Sequence, residues 1–429
     1  MRQNRQVAAW ALWDWGSAAF NAVMVTFVFS AYLASDAFGP DARGTTVLSV
    51  GNMISGIIVA LTAPVVGARA DASGNRKRQL GLHTAIVVVL IAACFFVRPE
   101  EGYLYLGVVL IAAGNVFFEF AEVSYNSLLL RVSSPATIGR ISGIGWGAGY
   151  LGGIVLLLIV YIGFVSGETH WFGITSDDAL NIRVVAVVAA LWFGLFAIPI
   201  FVSLPADEPV SGKAKVSWAA SYRQLWQTLK DLWHGDRNTI KFLIASAVYR
   251  DGLGAVFAYG AILGTQVFGL DPADVILFAI VANVVAAAGS FVGGWLDDRI
   301  GPLPVIYGSL IGMIIVGTIM FFQNGPEAFW GLGLALCLFV GPAQSASRAF
   351  LGRLTNIDTA GELYGLYATT GRSIAFLAPG LVALLMLFTK DERFVIVAIV
   401  VILIAGALSL LTVKNQDRVG TATETITHS

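Results

Sequence analysis

Twelve apolar runs, each long enough to cross a membrane, follow one another along almost the whole chain. A helix needs roughly 20 residues to span ~30 Å of hydrocarbon. The runs are 8–35, 45–68, 79–97, 103–130, 141–165, 181–204, 241–268, 273–296, 303–322, 328–352, 362–388 and 393–413. Inside lipid, every backbone N–H and C=O must find a partner within the protein, which excludes open sheet edges. Barrel strands would alternate apolar and polar residues, and these runs are continuously apolar. The expectation is an all-α membrane protein with twelve transmembrane helices. Only 12% of the 429 residues are charged, against about a quarter in a soluble domain.

Lys and Arg orient the spans. With both termini on the cytoplasmic side, eighteen of the 26 cationic side chains fall on inner segments. Arg43, Arg98, Arg183, Lys390 and Arg393 fall outside, and Arg250, Arg348 and Arg372 lie within spans. That asymmetry follows the positive-inside rule and implies a multi-pass protein of the plasma (inner) membrane. The start, Met1-Arg2-Gln3-Asn4-Arg5-Gln6, has the basic end of a signal peptide. The apolar run behind it is too long and contains Asp14, so it reads as the first span. Net charge is −1, so nothing suggests a nucleic-acid partner. Cys94 and Cys337 both sit in apolar runs, and no cysteine or histidine spacing suggests a metal. No phosphate-binding loop and no Ser-His-acid set is present, so neither an enzyme nor a cofactor is expected.

The chain is also duplicated. Gly67-x-x-x-Asp71-x-x-Gly74 follows one apolar run and Gly294-x-x-x-Asp298-x-x-Gly301 follows another, with the two aspartates 227 positions apart. At an offset of 222, Leu129, Arg131, Thr137, Gly139, Gly143 and Gly149 meet Leu351, Arg353, Thr359, Gly361, Gly365 and Gly371. Duplicated halves in a very apolar chain are an architecture of secondary transporters. The halves are 1–204 and 241–413, with a polar linker at 205–240 and a tail at 414–429. In the linker, Trp218, Tyr222, Leu225, Trp226, Leu229, Leu232 and Trp233 recur at helical spacing. This reads as an amphipathic helix lying on the inner membrane surface.

An aspartate at the inner end of one helix can accept hydrogen bonds from a neighbouring helix N-terminus, and a nearby Arg can pair with it. Both loops are therefore candidate latches of an inner gate. The gate set is Gly67, Asp71, Gly74, Arg76, Lys77, Gly294, Asp298, Arg299 and Gly301. The first copy keeps its basic run, so the stronger latch is expected in the N-terminal half. The loop resembles the signature of the major facilitator superfamily, Gly-x-x-x-Asp-(Arg/Lys)-x-Gly-(Arg/Lys)-(Arg/Lys). It departs at Ala72 and Asn75 in the first copy and at Pro302 in the second.

A narrower resemblance rests on Trp13-Asp14-Trp15, Tyr125-Asn126-Ser127-Leu128-Leu129, the glycine-rich string Ser142 to Gly153, Tyr249-Arg250-Asp251-Gly252, and Gln344 with Ser347-Arg348. These resemble the vacuole-effluxer branch, which includes autophagy-related amino-acid effluxers and bacterial relatives. Trp13, Gly16-Ser17-Ala18 and Leu130 depart from that branch's usual residues. The resemblance implies two pseudo-symmetric six-helix bundles, the major facilitator fold, with spans 1, 4, 7 and 10 lining a central cavity.

Asp14 is on span 1, Glu119 and Glu122 on span 4, Arg250 and Asp251 on span 7, Arg348 on span 10 and Arg372 on span 11. Each charge at bilayer depth costs roughly 2.5–3.5 kcal/mol on insertion scales. Seven facing lipid would approach ~20 kcal/mol, more than the typical stability of a fold, so they must face one another or water. Glu119 and Glu122 are three apart and share a helix face, as proton coupling would use. Arg250 and Asp251 point about 100° apart and are expected to serve different neighbours. Both signs together suit a zwitterion. Asn21, Asn115, Asn126 and Gln344 are candidate polar residues of the same cavity.

The function expected is an alternating-access carrier or exporter of amino acids or similar small zwitterions, coupled to a proton and monomeric. Export of drugs or other metabolites on the same fold, and a non-transporting membrane sensor or scaffold, are the alternatives. Trp10, Trp13, Trp171 and Trp330 read as interface anchors.

Overall fold

The computed structural model describes residues 2–40, 43–166, 170–205 and 218–414. The linker stretch 206–217 and the tail from 415 onward lie outside the described residues. The described chain is helical. The helices are α1 Arg2–Ala18, α2 Arg43–Ser73, α3 Arg76–Ala93, α4 Leu104–Ser127, α5 Ile138–Val160, α6 Leu180–Ser203 and α7 Trp218–Gly235. There follow α8 Arg237–Ile262, α9 Pro272–Ile300, α10 Pro302–Phe321, α11 Pro326–Arg353, α12 Ala360–Ile374, α13 Leu377–Thr389 and α14 Phe394–Leu410.

Ten membrane-crossing segments are long and apolar enough among the described residues. The other two expected spans are also helical: α8, with 26 residues that include Arg250 and Asp251, and α14, with 17. Several spans differ from the unbroken helices expected: the fourth is interrupted at Leu128, and the fifth and seventh end in π-helical stretches, Tyr161–Val165 and Leu263–Val267. The first continues beyond α1 as a π-helical stretch, Ala19–Phe27, where Thr26 Oγ1 donates to the Asn21 carbonyl and Val28 N–H reaches back five residues to Val23. The eleventh is split into α12 and α13, with Ala375 and Phe376 between them.

The chain forms two compact units. One comprises Met1–Ala63, Ser73–Tyr125 and Ala148–Pro209. The other comprises Pro64–Ala72, Asn126–Gly147 and Val210–Ser429. In the first unit, α6 packs against α1 and α3. Its core is aromatic: Tyr125 is stacked between Trp10 and Trp13, with ring centroids 4.5 and 4.3 Å apart. Trp13 also meets Phe193 edge-on. Trp10 and Trp13 are therefore not interface anchors. Both are 0% exposed, and their indole N–H groups donate to the Tyr125 carbonyl and Thr84 Oγ1. Lipid is as apolar as the core, so shape, stacking and these hydrogen bonds hold the helices together. In the second unit, α11 packs against α9 and α10, and α14 against α8, α10 and α13.

Candidate functional site

The two repeated loops make equivalent contacts within the second unit. Asp71, near the end of α2, accepts the N–H groups of Gly361 and Glu362 at 3.0 and 2.8 Å. These are the second and third residues of α12, where backbone donors lack helical partners. Asp298, near the end of α9, accepts Gly139 and Arg140 N–H at 2.9 and 3.2 Å, at the start of α5. Each carboxylate thus sits on the positive end of a helix belonging to the opposite sequence half. The first motif glycine permits the approach. A Cβ on Gly67 would collide with the Gly361 carbonyl oxygen, and one on Gly294 would lie 2.6 Å from the Gly139 carbonyl oxygen. The second motif glycines take positive φ, +63° at Gly74 and +85° at Gly301, and end α2 and α9.

The cations of the motif are placed less symmetrically. Lys77 donates to the Leu204 carbonyl, Arg76 is buried, and Arg299 is exposed and stacked on the Trp295 ring at 3.7 Å. The arginine paired at the second loop is Arg353, which lies 2.5 Å from Asp297 and 3.8 Å from Asp298. Sequence reasoning did not select Asp297 or Arg353. The signal was present, since Arg353 is the repeat partner of Arg131. In the first loop Ala70 stands where Asp297 stands in the second. The Thr228 side chain of α7 lies near the Glu362 carboxylate, which places the linker helix beside the first loop's contact.

The in-span residues divide by neighbourhood. In the first unit, Asp14 Oδ2 accepts the Tyr125 hydroxyl at 3.1 Å. Its other oxygen faces Gly149, where an added Cβ would lie 3.5 Å away. Glu119 and Glu122 are half-buried on α4, and Asn21 is exposed in the π-helical stretch. In the second unit, Arg348 is 4% exposed and binds α5: its Nε donates to Ser142 Oγ at 3.0 Å and its Nη2 to the Ser142 carbonyl at 2.6 Å. Nη1 donates to Asn126 Oδ1 at 3.3 Å, and the guanidinium faces the Trp146 ring.

Asn126 and Arg348 are 222 positions apart, so this bond joins a residue to its own repeat equivalent. Ser142 and Tyr364 are also equivalents, and both bond Arg348: Ser142 accepts from its guanidinium, and the Tyr364 hydroxyl donates to its carbonyl. Arg250 and Asp251 face different neighbours on span 11: Arg250 the Tyr367 carbonyl of α12, and Asp251 the Ala378 N–H of α13. Gln344 and Arg372 are half-buried on α11 and α12.

Solved structures of membrane carriers match the chain almost end to end. The proton:xylose symporter XylE aligns with a TM-score of 0.70 over 96% of this chain and 94% of that chain, at 12% identity. The human organic anion transporter MFSD10 aligns with a TM-score of 0.71 over 95% and 99%, at 13% identity. The fold is that of major facilitator superfamily transporters, and family and fold are those of transporters, not enzymes. The chain belongs to the "vacuole effluxer Atg22 like" family, whose model matches residues 131–422. The uncharacterized MFS-type transporter YxiO of Bacillus subtilis is 25% identical over 97% of this chain and 96% of its own length. Autophagy-related protein 22-1 of Neosartorya fischeri is 24% identical over 65% of this chain, and the match spans 49% of that relative's length.

Proposed function

We propose that the chain is a proton-coupled carrier that exports amino acids or similar small zwitterions from the cytoplasm. The observation that carries this reading is that the spans hold both charge signs at neighbouring positions of α8, Arg250 and Asp251, and, on α4, a carboxylate pair on one helix face, Glu119 and Glu122. An arginine can fork a carboxylate and an aspartate can hold an ammonium. A carboxylate pair at limited solvation is suited to taking up and releasing a proton. The effluxer family and the autophagy-related relatives support export. Proton-driven transport on this fold has a precedent in XylE.

In this reading Asp14, Glu119, Glu122 and Asp251 are candidates for the coupling proton, with Asn21, Gln344 and Arg372 as further polar candidates. Arg348 ties α11 to α5 through Ser142 and to the end of α4 through Asn126. The two latch loops close the inner side. The halves 1–204 and 241–413 rock about the cargo, and α7 lies in the inner interface with its exposed Tyr222, Trp226 and Trp233 toward lipid. The protein works as a monomer in the plasma membrane with both termini inside.

Purified full-length protein in proteoliposomes, loaded with labelled amino acids under an imposed pH gradient, tests the reading. Flux of at least one amino acid that accelerates with the gradient is expected. No flux of any amino acid in either direction would overturn the cargo assignment. Substituting both Glu119→Gln and Glu122→Gln should leave exchange of cargo without a gradient measurable while abolishing its acceleration by pH. Retained acceleration would remove this pair from the coupling.

A further inference from the structure

The split in span 11 has a local cause and two caretakers. Pro379 is the third residue of α13. Proline lacks an N–H, and its ring clashes with the carbonyl four residues earlier, here Ala375. The helix accordingly stops at Ile374 and restarts at Leu377. In a continuous helix the Ala378 N–H would bond the Ile374 carbonyl. Instead it donates to Asp251 Oδ2 of α8 at 2.6 Å. The preceding residue, Arg250, holds the other side of the break. Its Nη1 donates to the Tyr367 carbonyl at 3.3 Å and its guanidinium stacks 3.8 Å above the Tyr367 ring.

The signs suit the positions. The anion is at the N-terminus of α13, where free N–H groups carry partial positive charge. The cation lies at Tyr367, midway along α12, and reaches Gly371 in its last turn, where an added Cβ would be 3.3 Å from Arg250 Nη1 and where carbonyls carry partial negative charge. Adjacent residues on a helix point about 100° apart, which lets one dipeptide reach both pieces.

The two pieces are anchored unequally. Residues Ala360 to Tyr367 of α12 are all buried. In α13 only Ala378 and Val382 are buried, and Phe376 at the break is 67% exposed. The first repeat has no counterpart, because Leu157 stands where Pro379 stands in the second and α5 runs unbroken from Ile138 to Val160.

We propose that span 11 is a hinged helix, in which α13 moves about Ala375–Phe376 during the transport cycle and Arg250 and Asp251 form the clasp that fixes the hinge. The proposal does not depend on the cargo. Asp251 and Arg250 act here as positioning residues, through the backbone of span 11.

Spin-label distances in the full chain test it, with Cys94 and Cys337 replaced by alanine. One label pair, at Phe322 and Phe388, reads α13. A second pair, at Leu411 and Ile357, reads the inner end of α12. All four positions are exposed. Asp251→Leu should add a second distance component to the α13 pair, displaced by about one helical turn, ~5 Å, and leave the α12 pair unchanged. An unchanged α13 pair, or equal changes in both pairs, would overturn the hinge. In a Pro379→Ala background, which restores the helical N–H, Asp251→Leu should add nothing further. A persisting displacement would show that the clasp does not act through the break. Amide hydrogen exchange on the unsubstituted protein gives a reading independent of any variant: the amides of 375–377 should exchange faster than those of 366–373, and uniform protection across span 11 would sink the proposal.

Discussion

Replacing Arg353 with methionine should destabilise the protein by about 3–5 kcal/mol, the cost of leaving a buried charge without its partner. Arg353 lies 2.5 Å from Asp297, and the Asp297 side chain has no exposed surface. The lost interaction is only part of the effect. The Asp297 carboxylate stays desolvated in its site, and the residual attraction from other groups cannot replace a guanidinium in contact. The sign of the double substitution separates these terms. Asp297→Leu with Arg353→Met removes both charges and should recover most of the stability, to within about 1 kcal/mol of the original or better. Thermal unfolding of the purified protein in detergent, followed by loss of the monodisperse species, measures the order. The pair would be structurally unimportant if Arg353→Met unfolded at the original temperature.

Loss of the Asp71 carboxylate should open the inner side. Asp71→Ala removes the acceptor for two helix N-terminal N–H groups, at 3.0 and 2.8 Å. Hydrogen bonds to a charged group contribute about 1.5–3 kcal/mol each. A net loss of about 3 kcal/mol shifts a two-state equilibrium roughly 100-fold toward the state without the contact. A cysteine placed at Ala360, fully buried beside the latch, should then react roughly 100-fold faster with a maleimide supplied from the inner side. Asp71→Asn keeps one acceptor oxygen and should give a smaller acceleration. Asp298→Ala should act in the same way on a cysteine at Ile138, buried beside the start of α5. Labelling at the original rate in both variants would show that the loops are not latches.

The two loops illustrate how much of the site was legible beforehand. Their aspartates fall at helix ends in the sequence, and a carboxylate beside a helix N-terminus is favoured whatever the fold. The pairing with an arginine was legible as chemistry and not as identity. Arg299 follows Asp298 directly, yet it stacks on Trp295, while Arg353 arrives from 55 positions further along the chain. The basic run that pointed to a stronger first latch also has a different use, since Lys77 holds the Leu204 carbonyl. Trp10 and Trp13 sit near the end of an apolar run, where indoles commonly meet the interface. Here Tyr125 from α4 stacks between them.

Span 11 was legible in a different way. Hydropathy averages over a window, so 362–388 reads as one run, although Pro379 already forbids an unbroken helix through Ala375. Where the freed N–H would find an acceptor could not be read from span 11 itself.

The sequence by itself determined that the chain is a series of apolar helices long enough to span a membrane and that its two halves repeat. These follow from quantities carried locally: apolar run length and recurrence at a constant offset. The tertiary structure alone decided the partners. It set Arg348 on Ser142 and Asn126, Asp14 on Tyr125, and Arg250 and Asp251 on the two sides of a broken helix. A buried charge takes whichever complementary group packing brings within about 3 Å, and that group is set by the packing of helices distant in sequence.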